Sequence, residues 1–139
     1  MKSEPIITFA NDEQLQESLG EWQARLFLNN WTIRAKIAPF KDIDACGDCS
    51  ANTVRMFAEI RISEHKKSWF EDVQKTVDEL TLVHELLHLK IGKVLSFNAE
   101  SLSYPAECFA LEEHVLLEQM AKSLIMAKYN LPFEWFKNI

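Results

Sequence analysis

The chain has 139 residues, 47% of them hydrophobic and 26% charged, which suffices to bury one core and excludes a disordered chain. Acidic residues outnumber basic ones 21 to 15, and a net charge of −6 speaks against a nucleic-acid backbone or an anionic membrane as partner. Three cysteines cannot all pair, Met1-Lys2-Ser3-Glu4-Pro5 lacks the pattern of a signal peptide, and no apolar run approaches the roughly 20 residues that span a bilayer. The expectation is a single soluble, cytoplasmic domain over residues 1–139.

Residues 12–29 are predicted as an amphipathic helix, because Leu15, Leu19, Trp22 and Leu26 recur at helical steps and Asn11 can cap its start. In 31–38 the period shortens: Ile33, Ala35 and Ile37 alternate with Thr32, Arg34 and Lys36, a half-buried strand that Pro39 ends. Residues 40–52 read as a polar loop. A second strand is predicted over 54–62, with Val54, Met56, Ala58, Ile60 and Ile62 on one face and Arg55, Glu59 and Arg61 on the other; Phe57 is the exception. A long helix follows from about 70 to 91 and stops at Gly92. Residues 93–104 read as a connecting loop, and Pro105 opens a last helix that runs to about 128. The aromatic tail (Tyr129, Phe133, Trp135, Phe136) is expected to pack on the domain, docking on a partner being the alternative. Two strands with helices to one side imply an α+β fold. With only Gly20, Gly47 and Gly92, no glycine-rich phosphate loop can form.

His84-Glu85-Leu86-Leu87-His88 carries the chemistry. Residues four apart on a helix share a face with β-carbons about 5–6 Å apart, so both imidazoles can reach one metal ion. Zinc accepts such nitrogen ligands in a tetrahedral shell. Glu85 lies off the ligand line, where it can serve as general base toward a water. Scrambling this composition yields the pattern in roughly one chain per hundred, so chance is a weak rival. Val77, Leu80, Thr81, Leu87 and Ile91 share the His84 side, and Leu82, Leu86 and Leu89 cover much of the opposite side. Such a helix is largely buried, and two buried histidines need partners, which a shared metal supplies.

A catalytic zinc takes a third protein donor. Gly and His at 91 and 94 would mark the metzincin class, but Ile91 and Val94 stand there. Glu112 and Glu113 lie 24 and 25 residues beyond His88, on the helix opened by Pro105. Leu116, Leu117, Met120, Ala121 and Leu124 define an inward face there; Glu113 falls near its centre and Glu112 about 100° away. An acid in an apolar face is costly unless paired or metal-bound, which favours Glu113 as the ligand over Glu112.

On these residues, with Leu82-Val83 and Leu89 around the motif, the chain resembles gluzincin-type zinc metallopeptidases. It is most similar to the small metallopeptidases encoded by bacteriophages and prophages, in which a Trp-x-Ile strand (here Trp31-Thr32-Ile33) precedes the histidine helix. The likeness covers about residues 20–125 and is specific at the zinc motif. It implies His84, His88 and Glu113 as zinc ligands, Glu85 as catalytic base, and a minimal zincin-like core with a small sheet packed against both helices. The compact SprT-like and ImmA-like zincins share this architecture. The latter usually have Gly before the second histidine, where this chain has Leu87, so cleavage of a repressor does not carry over.

Tyr104 and His114 are the nearest candidates in sequence to stabilise an oxyanion. Cys46-Gly47-Asp48-Cys49 has the spacing of half a zinc ribbon without a second pair, and reads as loop thiols, with a second metal site involving His65 as the alternative. Cys108 reads as a small core residue and His65 as solvated. The expected function is zinc-dependent hydrolysis of a protein or peptide substrate. The alternatives are a non-catalytic module in which zinc pins two helices, or a phage regulatory protein that keeps only the fold.

Overall fold

A computed structural model describes residues 4–43, 45–64, 77–92 and 105–137. The predicted loop 93–104, the helical stretch 70–76, and the candidates His65 and Tyr104 lie outside the described residues. The elements run α1 (Asp12–Arg25), β1 (Thr32–Ala38), a single helical turn α2 (Phe40–Ile43), β2 (Gly47–Asn52), β3 (Phe57–Ser63), α3 (Asp78–Leu87), a π-helical turn (His88–Gly92), α4 (Ala106–Tyr129) and a 3-10 turn (Phe133–Phe136). The fold is α+β. Among the described residues no helix is long and apolar enough to cross a membrane.

The sheet has the order β1-β3-β2, with β1 parallel and β2 antiparallel to β3. Ile33, Ala35 and Ile37 pair with Ala58, Ile60 and Ile62, so one face is apolar throughout and joins the core with Leu15, Leu19 and Trp22 of α1 and Leu82, Val83 and Leu86 of α3. Arg34, Glu59 and Arg61 line the other face, as alternation requires.

Residues 47–52, expected as loop, form an edge strand. The peptide Gly47–Asn52 is too polar for the usual alternation to show, and its pairing with β3 is a long-range effect. A hairpin then reverses the chain. Asn52 Oδ1 accepts from the amides of Val54 and Arg55 at 3.1 and 3.0 Å, and Met56 adopts φ 53°. Val54, expected on the inner face, is therefore 92% exposed at the hairpin tip, and β3 starts at Phe57. Gly47 is needed where it stands: a β-carbon there would come within 2.7 Å of Thr81 Cγ2 and 2.9 Å of the Arg61 carbonyl, so β2 would be pushed off α3.

Helix α1 opens as expected, Asn11 accepting from the Gln14 amide at 2.9 Å, but it ends at Arg25, where Phe27 turns to φ 57°. The start of α3 is tied to the N-terminal segment. Asp78 accepts from the Phe9 amide at 2.9 Å, and the amides of Asp78 and Glu79 donate to the Ile7 and Ile6 carbonyls. Glu79 is wholly buried and is held by the Ile6 amide, Trp22 Nε1, Tyr129 Oη and Lys128 Nζ, at 2.8, 2.7, 2.7 and 2.9 Å. Burial by itself would raise the Glu79 pKa, but Lys128 and the three neutral donors together hold it below the ordinary carboxylate value. This polar knot joins α1, α3 and α4 and fixes the histidine helix in the core. Tyr129 and Phe136 pack inside as expected of the tail, while Phe133 is exposed.

Candidate functional site

Helix α3 is buried on nearly every side, as its sequence implied, from Val77 to Leu87 with only Thr81 half-exposed. His84 and Glu85 are 5% and 7% exposed. His88 stands where the α-helix gives way to the π-helical turn, and its ring lies 5.2 Å from that of His84, edge to face. Both histidines, with Glu85, open into one cavity of about 430 Å³ whose other walls are Ala45, Gly47, Asp48, Cys49 and Ala51 on the β2 side, Leu89, and His114 of α4.

Helix α4 runs antiparallel to α3 at this point: its earlier carboxylate meets the later histidine. Glu113 Oε1 lies 2.9 Å from His88 Nδ1, and Glu118 Oε1 lies 3.6 Å from His84 Nδ1. Glu112 is exposed. His114 rests its ring 4.7 Å from that of His84. Leu117, Ala121 and Ile125 form the buried stripe of α4, and Glu113 continues that stripe one turn earlier. Leu116, expected inside, is 39% exposed.

The charges follow from this crowding. Burial raises the Glu85 pKa to about 7, with Asp48 and Glu118 adding to the rise and His84 opposing it. Among the described residues no hydrogen bond engages the Glu85 carboxylate. Burial would lower His84, but its pairing with Glu118 and the negative charges of Glu85, Glu118 and Glu113 lift it above the ordinary imidazole value. His88 moves down, because burial and the neighbouring His84 charge outweigh Glu113. Burial pushes the Cys49 thiol to about 12, with Glu85 and Asp48 contributing.

Two imidazoles and a carboxylate are the donor types that zinc takes, and Glu113 already touches one of the two imidazoles. Among the described residues no three His, Cys, Asp or Glu side chains are disposed to grip an ion as they stand; each imidazole instead faces a carboxylate. The residues fit zinc in kind and in neighbourhood.

Sequence reading overlooked Glu118, and it offered His114 as an oxyanion candidate beside Tyr104, about 100° round the helix from Glu113. His114 follows Glu113 and Glu118 follows Leu117, each about 100° round the helix from that neighbour, and they are themselves four residues apart, so both fall on one flank of the stripe. Asp48 and Cys49 came into the site through the pairing of β2, which no local pattern announces. Cys108 is exposed, contrary to expectation. The chain has no match among protein-family models, curated proteins or solved structures.

Proposed function

We propose that this protein is a zincin-like metallopeptidase that hydrolyses peptide bonds, with His84, His88 and Glu113 as zinc ligands and Glu85 as general base. The observation that carries the reading is Glu85: a carboxylate 7% exposed, without a hydrogen-bond partner among the described residues, at the wall of a cavity between two histidines on one helix face. A buried carboxylate left so is costly unless the protein uses it. Bound zinc would act as a Lewis acid, polarising the scissile carbonyl and acidifying a water. Glu85 takes a proton from the attacking water as its oxygen bonds to the carbonyl carbon. The same carboxyl returns that proton to the amide nitrogen as the C–N bond breaks, so Glu85 ends the cycle as it began. Edge strand β2 borders the cavity and offers backbone groups to an extended peptide.

The test is Glu85→Gln assayed with a mixture of denatured proteins, new termini being read by mass spectrometry. Cleavage should vanish while zinc content stays at one ion per chain. Unchanged cleavage would remove the proposed base and with it the reading. A closed structural zinc that pins α3 to α4 is the second reading, favoured by the nearness of Glu118 to His84 at 3.6 Å as a fourth donor. It requires both carboxylates on the ion and no loss of function on changing Glu85.

A further inference from the structure

We infer that His114 is a catalytic hydrogen-bond donor to the substrate, holding the oxygen of the carbonyl under attack. The inference rests on the hydrolase reading above and adds a residue to it.

Hydrolysis moves the carbonyl π pair onto oxygen when water adds to the carbon, and that oxygen then needs a donor that is already in position. The described walls of the cavity supply few. Ala45, Gly47, Ala51 and Leu89 have no polar side chain. Asp48 is forked by Arg61 through Nε at 2.9 Å and through Nη2, and an ionised carboxylate accepts rather than donates. The Cys49 thiol is a weak donor. Glu85 is the base, and the ring nitrogens of His84 and His88 are the proposed ligands. Among the described wall residues His114 is therefore the strong side-chain N–H donor that remains.

Its surroundings fit the role. His114 is exposed where His84 and Glu85 are buried, so its ring is open to an incoming substrate. No hydrogen bond to another described residue engages either of its ring nitrogens. The ring is not free to wander, because it packs 4.7 Å from the His84 ring at an interplanar angle of 53°. Being the residue after Glu113, it is carried on the same helical turn as a proposed ligand, so donor and ligand move together. In either charge state an imidazole keeps at least one N–H, and the role needs no protonation change.

The experiment compares wild type, His114→Ala, His114→Gln and Glu85→Gln on a peptide containing a cleavage site mapped with the denatured-protein mixture. A second measurement is calorimetric binding of the same peptide with the scissile amide replaced by a tetrahedral phosphonamidate. His114→Ala should lower kcat by about 10²–10³-fold with KM nearly unchanged, the range for loss of one such donor. It should weaken the phosphonamidate far more than the product peptide and leave zinc at one ion per chain, and His114→Gln, which keeps an N–H, should recover part of the loss. If His114→Ala retains full kcat and phosphonamidate affinity while Glu85→Gln is inactive, the role of His114 is refuted and the hydrolase reading stands. Loss of zinc from a folded His114→Ala would likewise overturn it, making His114 a ligand. Full activity in Glu85→Gln would instead remove the reading on which the inference rests.

Discussion

Glu79 shows what one buried acid does here. It is fully buried, yet four donors from three parts of the chain converge on it, and its pKa is held down. A carboxylate whose folded pKa lies below its unfolded value stabilises the protein above the unfolded value, and that contribution is lost as pH falls through the folded one. Urea midpoints should therefore fall on acidification below the ordinary carboxylate range, and the profile of Glu79→Gln should be flatter. The same variant should cost about 3–5 kcal/mol at neutral pH, because it removes the buried charge opposite Lys128 and leaves Glu21, 3.0 Å away, as the carboxylate paired with it. A wild-type stability that does not change down to acid pH would show that Glu79 is not so held. Cys49 offers a second check. With its pKa at about 12, it should react with iodoacetamide at neutral pH far more slowly than exposed Cys108, and Glu85→Gln should speed it by removing one adjacent charge. Equal labelling of both thiols, followed by mass spectrometry, would contradict the burial described for Cys49.

At the scale of elements, the pieces with strong periodicity were legible. Helices α1 and α4 and strand β1 follow their hydrophobic spacing closely, and Glu113 was singled out over Glu112 because it lay in an apolar face. The edge strand β2 was not legible, since Gly47-Asp48-Cys49-Ser50-Ala51-Asn52 has no alternation of its own and takes its register from β3. The packing that holds it is tight enough to test. Gly47→Ala should destabilise by about 1–3 kcal/mol, as overpacking does, by driving a methyl into Thr81 and the Arg61 carbonyl. An unchanged urea midpoint would mean that β2 and α3 are not so close. Glu118 calls for a different measurement. Facing His84 Nδ1, it leaves the other ring nitrogen for an ion, so Glu118→Gln should weaken zinc binding by about 10–100-fold. Glu112→Gln, on the exposed side of the same helix, should leave zinc affinity as it was; equal effects from both would mean that α4 is not rotated as described.

Over the whole molecule, the sheet, α1 and α4 surround one buried helix and present its two histidines and Glu85 to a single cavity. That assembly depends on contacts far apart in sequence: the Ile6 amide to Glu79, β2 to β3, α4 to α3. Local pattern named His84, Glu85, His88 and Glu113 because their chemistry conflicts with an apolar setting. It offered His114 as an oxyanion candidate and Cys49 as a loop thiol, but had no means to place either of them, or Asp48 and Glu118, at the cavity, since that is set by which element lies across it. The central claim is that two imidazoles of α3 and a carboxylate of α4 share one ion. Zinc-edge X-ray absorption on the purified, zinc-loaded protein tests it most directly. The account predicts one zinc per chain with two imidazole nitrogens and carboxylate oxygen in its shell and no sulfur, unaltered in Glu85→Gln and lost in His84→Ala and in His88→Ala. A chain that takes up no zinc, or a shell containing Cys49 sulfur, would contradict it.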